Sequence, residues 1–300
     1  MCDIWKSTDN SALSHEDLER HLEDIERLGV KWVILSGGEP LMHPDLFRLC
    51  ALLRTKNVRI TMLSTGLLLE RFAAQVTADI DDVIVSLDGP PQIHDRIRQI
   101  SGAFSRLKKS VDRVRECRPD FPIASRCTVQ RLNHQHIVET AEAANELGLV
   151  SISFLAADVT SEAFNRPVPW NSERQSQVAL TDEEISVLVR EFENLSEQWQ
   201  GTGFVLESRD KLQRIVNHFR ANLCQVESQA PLCNAPWVSA VIEANGEVRP
   251  CFFHKPVGSL RTHSLMQVLN GFEAQQFRSS LDVQSNAVCR RCVCSLNWKQ

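Results

Sequence analysis

From Ser14 to about Val150 the chain alternates helix-like and strand-like segments so regularly that it argues for a parallel sheet with crossover helices. Ser14 suits an N-cap, acidic residues fill the next turn, and Leu18, Leu22, Ile25 and Leu28 recur at helical spacing up to Gly29. Val30–Leu35 then reads as a buried strand. A helix from about Asp45 to Lys56 leads into a strand at Val58–Leu63. A helix at Leu67–Val76 leads into Asp82–Leu87, and one at Ala103–Cys117 into Pro122–Val129. Asn133–Leu147 is a helix stopped by Gly148, and Val150–Leu155 is the next strand. An apolar share of 43% in 300 residues is ample for the core such a fold needs.

The alternation stops near Ala156. Residues 156–180 carry Pro167, Pro169 and many polar groups and read as a long connection or lid. Two helices follow at Asp182–Gln198 and Arg209–Asn222. From about Leu223 the predicted elements are short, and six of the ten cysteines gather there. These shifts divide the chain into 1–155, 156–222 and 223–300. A net charge of −5 offers no footprint for nucleic acid, and no basic cluster suggests an anionic membrane. No apolar run reaches the length of a membrane span, and no signal segment opens the chain. A cytoplasmic location is therefore expected, with reduced thiols that serve as core residues or metal ligands.

Three polar constellations each follow a predicted strand. Ser36-Gly37-Gly38-Glu39-Pro40 pairs glycines, which let a ligand approach the backbone, with a carboxylate at the strand's C-terminal end. Ser64-Thr65-Gly66 and Ser86-Leu87-Asp88-Gly89-Pro90 place hydroxyl, backbone and carboxylate groups at equivalent positions. Turn chemistry accounts for the same residue types. Further on, Cys233-x12-Gly246-x4-Cys251 brackets two predicted strands, Val238–Glu243 and Glu247–Pro250, about Asn245-Gly246, a type I′ hairpin signal. The hairpin brings its two cysteines together, and Cys289-Arg290-Arg291-Cys292-Val293-Cys294 can close a four-thiolate site, for zinc or for an iron–sulfur cluster. Cys50, Cys117 and Cys127 read as core residues, and Cys224 is a lesser ligand candidate. His134 and His136 flank a helix start and read as surface groups, and His254 lies near enough to Cys251 to shield a cluster.

In their order along the chain these motifs resemble the radical S-adenosylmethionine (SAM) enzymes. Met1-Cys2-Asp3-Ile4-Trp5-Lys6 resembles the end of that family's C-x3-C-x2-C loop, whose three cysteines hold a [4Fe–4S] cluster with one iron open to SAM. Val83–Gly89 with Ile93-His94-Asp95-Arg96-Ile97-Arg98 resembles the SLDG…HD-x-x-R segment of members that carry a C-terminal auxiliary-cluster domain. The resemblance implies that Gly37, Gly38, Glu39 and Pro40 help bind the SAM amino group. It assigns Ser64 and Thr65 to the same site, Ser86 to the methionine or ribose, Asp88 to the ribose side and Arg126 to the carboxylate. Asp95 and Arg98 would pair with each other. The cysteine region resembles a SPASM domain or its shorter twitch form, which implies an auxiliary [4Fe–4S] cluster on Cys233, Cys251, Cys289 and Cys292. Cys294 is then a spare or exchanges with Cys292.

The fold implied is α/β, a partial (β/α)6 barrel followed by a small SPASM or twitch-like domain. Cys2 is the one first-cluster ligand this chain carries, and the strand that would run into the loop is also missing. The resemblance thus reads Met1 as internal to a longer protein. The reaction implied is reductive cleavage of SAM to a 5′-deoxyadenosyl radical that abstracts hydrogen from a substrate, with the auxiliary cluster taking or relaying an electron. An oxidative maturation of a peptide or a cofactor follows, supplied by an external donor such as ferredoxin or flavodoxin. Two alternatives stay open: a non-catalytic iron–sulfur protein with a degenerate SAM site, and a zinc-stabilised binding module.

Overall fold

The computed structural model describes residues 3–6, 11–163, 166 and 168–299. Five strands, β1 (Trp32–Leu35), β2 (Arg59–Ser64), β3 (Asp82–Ser86), β4 (Ile123–Val129) and β5 (Ile152–Ala156), pair in sequence order, every pair parallel. Consecutive order without a switch point is the order of a barrel wall. A sixth position is occupied by a single parallel bridge between Ile152 and Val205, where Ile152 N–H donates to Phe204 O at 2.9 Å and Leu206 N–H to Ile152 O at 3.0 Å. The expected partial (β/α)6 barrel is present, with β1 at one edge of the described sheet.

Period-two alternation gives the wall two faces. Ile60, Met62, Val85, Ile123, Cys127, Val129, Ile152 and Phe154 are fully buried on the helix side. Leu63, Ile84, Arg126, Thr128 and Leu155 are half-buried on the opposite, concave side. Burying each large apolar side chain contributes roughly 1.5–3 kcal/mol, so the convex face holds the wall together and leaves the concave face for function. The helices covering it are α1 (His15–Glu19), α2 (Leu22–Arg27), α3 (Leu46–Arg54), α4 (Leu69–Asp79), α5 (Pro91–Arg98), α6 (Ala103–Cys117) and α7 (Ile137–Glu146).

Ser14 caps α1 as expected, in a reciprocal capping box with Asp17. The single helix predicted from Ser14 to Gly29 is instead two, because the chain turns at His21 (φ −111°, ψ 3°) and buries that ring. The helix predicted from Asn133 starts four residues later, at Ile137. Asn133 is spent on tertiary bonds: its Oδ1 accepts from Gln130 N–H (2.8 Å), and its Nδ2 donates to Asp88 O (2.9 Å) and Thr128 O (3.0 Å). His134, expected at the surface, is buried in the same turn with Nδ1 2.8 Å from Arg131 O.

The 156–180 connection contains α8 (Ser172–Val178) and leads to α9 (Asp182–Gln198) and α10 (Arg209–Asn222). The last part of the chain builds α11 (Ala235–Val238), then β6 (Val241–Ile242), β7 (Glu247–Arg249) and β8 (Gly258–Ser259) as an antiparallel sheet, then α12 (Leu265–Asn270), α13 (Phe272–Ser280) and α14 (Ala287–Arg290). Val238, expected in a strand, ends α11. The hairpin is not type I′, since only Gly246 has a positive φ (88°) there. Gly246 N–H donates to Glu243 O at 2.9 Å and Glu243 N–H to Glu247 O at 2.9 Å, a three-residue loop with glycine at its left-handed position. This module packs on α1, α2 and the edge strand: Arg261 pairs with Asp17 at 2.7 Å, Met266 N–H donates to Asp24 at 2.8 Å, and the Trp298 ring lies 6.2 Å from that of Trp32. Among the described residues no helix is long and apolar enough to cross a membrane.

Candidate functional site

The ends of β1 and β2 are joined by one carboxylate. Gly37 turns the chain at φ 137°, a conformation open to glycine, and delivers Glu39 beside the end of β2. Glu39 accepts from Ser64 Oγ at 3.0 Å, Thr65 N–H at 2.8 Å and Thr65 Oγ at 2.5 Å, and from Leu41 N–H at 3.3 Å at the start of the short helix Pro40–Met42. The structure therefore brings together Gly37, Gly38, Glu39, Pro40, Ser64 and Thr65. With its oxygens committed to protein donors, Glu39 ties the loops after β1 and β2 to each other.

One register row crosses the concave face. Ser86 is opposite Arg126, Arg126 is opposite Ser153, and Arg126 Nε donates to Ser153 Oγ at 3.2 Å. Asp88, two residues beyond β3, turns inward and is 1% exposed. Its Oδ1 accepts from Thr128 N–H at 3.1 Å, and its Oδ2 lies 2.6 Å from Arg98 Nη2. The expected Asp95–Arg98 pair does not form. Asp95 instead accepts from Gly102 N–H (2.7 Å) and Phe104 N–H (2.8 Å), tying down the entry to α6, which leaves Arg98 for the buried Asp88. Asp88 thus anchors the loop after β3 from within.

Cys2 lies outside the described residues. The residues that follow it are placed: Asp3 is 8% exposed, and the Ile4 side chain sits 3.9 Å from where a Cβ on Gly38 would stand. The segment next to Cys2 therefore rests on the Gly-Gly-Glu-Pro turn.

The second constellation is sulfur. Burial pushes the Cys251 thiol up, with Cys233 adding to the effect, and pushes Cys289 up to about 11, with Cys251 and Cys233 adding. Burial also raises Cys292, which feels Cys294, Cys251 and Cys233. Cys233 and Cys251 are thus charged neighbours of both Cys289 and Cys292. A set of buried thiols that resist ionising needs a cationic centre to become thiolates. Among the described residues no three of these thiols lie within 4.8 Å of one another. Burial likewise raises Cys294, but its foremost charged neighbours are Arg126 and Arg214. Its carbonyl accepts from Cys292 Sγ at 2.6 Å. His254 Nε2 lies 3.4 Å from Cys289 Sγ.

Residues 1–149 match the radical SAM superfamily model, and residues 233–293 match that of SPASM, an iron–sulfur cluster-binding domain. The chain belongs to the radical SAM superfamily. It is 29% identical over 178 residues to the AdoMet-dependent heme synthase of Methanosarcina barkeri, covering 55% of this chain and 50% of that one. Its fold is that of anSMEcpe with bound AdoMet (TM-score 0.69, 16% identity, 97% of this chain and 82% of that one). It is also that of Streptococcus suis SuiB bound to its precursor peptide SuiA (TM-score 0.66, 13% identity, 99% and 68%). This radical SAM chain spans at most about half the length of the curated heme-synthase relative it matches. [4Fe–4S] clusters and SAM are the cofactors that its two domains imply.

Several site residues had no sequence signal. Glu207, beyond the Val205 bridge, is buried, accepts from Phe154 N–H at 2.9 Å and pairs with Lys211 at 3.2 Å; burial raises its carboxyl. Asp158 and Arg166 form an ion pair with both side chains 1% exposed inside a stretch that reads as polar connection. A proline-flanked tryptophan, Pro169-Trp170, was the one available hint of order there.

Proposed function

We propose that this chain is the catalytic core of a radical SAM enzyme that oxidatively matures a peptide or a cofactor precursor. The observation that carries the reading is the convergence of three motifs: the segment after Cys2 packs on Gly38, and Glu39 binds Ser64 and Thr65. Cys2 would supply one thiolate of the first cluster, and the exposed backbone of Gly37 and Gly38 would receive the SAM amino group. Arg126, held by Ser153, would receive the carboxylate, with Ser86 beside it in the same row. Asp88 would act through the loop it fixes. Cys233, Cys251, Cys289 and Cys292 would hold the auxiliary cluster. The chemistry these groups supply is reductive cleavage of SAM to a radical that removes a hydrogen atom from the substrate. A site closed by four thiolates has no open coordination position, so its use is in carrying electrons away from the substrate. An external donor such as ferredoxin or flavodoxin would supply the reducing electron.

Relatives support both substrate classes: one is named for heme synthesis, and a structural neighbour is bound to a precursor peptide. The reading is tested by electron paramagnetic resonance of the complete, reduced gene product with and without SAM. A signal altered by SAM supports it. A single cluster indifferent to SAM supports the second reading, a non-catalytic iron–sulfur protein. In that reading Cys233, Cys251, Cys289 and Cys292 would hold the one cluster, and it would serve electron transfer.

A further inference from the structure

The 156–180 connection does not merely cross the surface; it grips the residue next to Cys2. Asp3 Oδ2 accepts from Trp170 Nε1 at 2.9 Å, and Oδ1 lies 3.2 Å from Arg174 Nη2 and 3.2 Å from Lys6 Nζ. Trp170 is 7% exposed, with guanidinium groups on its ring: Arg166 at 4.7 Å and Arg174 at 4.4 Å from the centroid. Arg166 in turn pairs with Asp158, two residues past β5, and donates to Asp158 O at 3.0 Å and Ala163 O at 2.8 Å. On the other side of the same short segment, Ile4 covers Gly38.

A continuous chain of contacts therefore runs from the end of β5 through the buried Arg166 and Trp170 and the half-exposed Arg174 to the buried Asp3. We propose that Trp170 and Arg174 are positioning residues, which clasp Asp3 so that docking of the connection and seating of the cysteine-loop segment are one event. The proposal rests on the function above in what the clasp serves, namely the cluster and SAM at Cys2. At their centre are a buried carboxylate and a buried indole joined by a charge-assisted bond, with the cations of Lys6 and Arg174 reaching in from a partly exposed position. Because coupling between two segments is reciprocal, loosening either one must loosen the other.

Hydrogen exchange on the complete gene product tests this with two variants, Trp170→Phe, which keeps a stacked ring but removes the indole N–H, and Asp3→Asn, which keeps shape but removes charge. Trp170→Phe is expected to speed exchange at residues 3–6, and Asp3→Asn at 168–178, each on the order of tenfold. Amides of β2–β4 should not change, which separates the effect from misfolding. In the iron-reconstituted protein Trp170→Phe should also weaken SAM binding about tenfold while the auxiliary cluster's absorption is retained. Exchange that rises in only one of the two segments would overturn the proposal, as would faster exchange with unaltered SAM affinity. Failure of the unmodified protein to bind SAM would count against the function proposed above and leave the two-way exchange result to decide the clasp.

Discussion

Arg98 Nη2, at the last residue of α5, lies 2.6 Å from Asp88 Oδ2 just ahead of that helix, and the pair holds the loop that follows β3. Asp88 is 1% exposed while Arg98 keeps 27% of its side chain in solvent, so the pair is buried at its acidic end. The contact is an ion pair with imperfect hydrogen-bond alignment, since Arg98 Nε meets no acceptor. Thr128 N–H and the Asn133 side chain complete the anchorage.

Removing one partner of such a pair strands a buried charge. Arg98→Met is therefore expected to destabilise the fold by about 3 kcal/mol, the low end for a broken buried pair because Arg98 is partly solvated. Asp88→Asn should cost less, since Asn still accepts from Thr128 N–H. Denaturant melts of the two variants check the order.

Glu39→Gln tests the junction of β1 and β2. The amide can accept at one position only, so it forfeits a charge-assisted bond to Ser64 or Thr65, a loss of roughly 1.5–3 kcal/mol in local order. SAM binding, followed by equilibrium titration, should weaken at least about tenfold, with little change in the far-ultraviolet spectrum.

His94 sets a pH dependence. Its Nδ1 accepts from Asp88 N–H at 3.2 Å, which requires the neutral ring. Burial, with Arg98 adding, lowers its pKa from 6.5 to about 4. Between those two values the unfolded chain takes up a proton that the native ring refuses, so stability falls as pH drops from about 6.5 towards about 4. The loss is roughly 3 kcal/mol across the window. Asp3, Asp17 and Asp24, whose carboxyls are held below their ordinary value, act at still lower pH. His94→Gln should flatten the upper slope and leave the lower one. An unchanged profile in that variant would refute the assignment.

The cysteines separate by their neighbours. Cys292 has Cys294, Cys251 and Cys233 as its charged neighbours, whereas for Cys294 the foremost are Arg126 and Arg214, ahead of Asp158 and Cys251. Cys292→Ser should therefore lose the visible absorption of the auxiliary cluster after anaerobic reconstitution, and Cys294→Ser should retain it. The reverse result would exchange the two roles.

How much of this could be read from the chain follows from which interactions are local. Helix α6 appears at Ala103–Cys117 and α9 at Asp182–Gln198, as their patterns predict, because an amphipathic period and a Thr181 cap are carried by neighbours in sequence. The order of the strand-end motifs was legible for the same reason. What misled were residues whose partners are remote. Asn133 looks like a helix residue until Asp88 O and Thr128 O claim its amide. Arg98 looks like the partner of nearby Asp95 until the entry to α6 takes that carboxylate. Asn245-Gly246 signals a type I′ turn, but the pairing of Glu243 with Glu247 selects a longer loop. Asp3 and Trp170, 167 positions apart, carry no sequence pattern that joins them.

The central claim is that the barrel cleaves SAM. It is tested most directly by incubating the complete gene product, reconstituted with iron and sulfide and reduced with dithionite, with SAM, and quantifying 5′-deoxyadenosine by mass spectrometry. The account predicts that 5′-deoxyadenosine and methionine form together and that Glu39→Gln suppresses both. A protein that carries its auxiliary cluster, yet yields no 5′-deoxyadenosine above the level without enzyme, would contradict it.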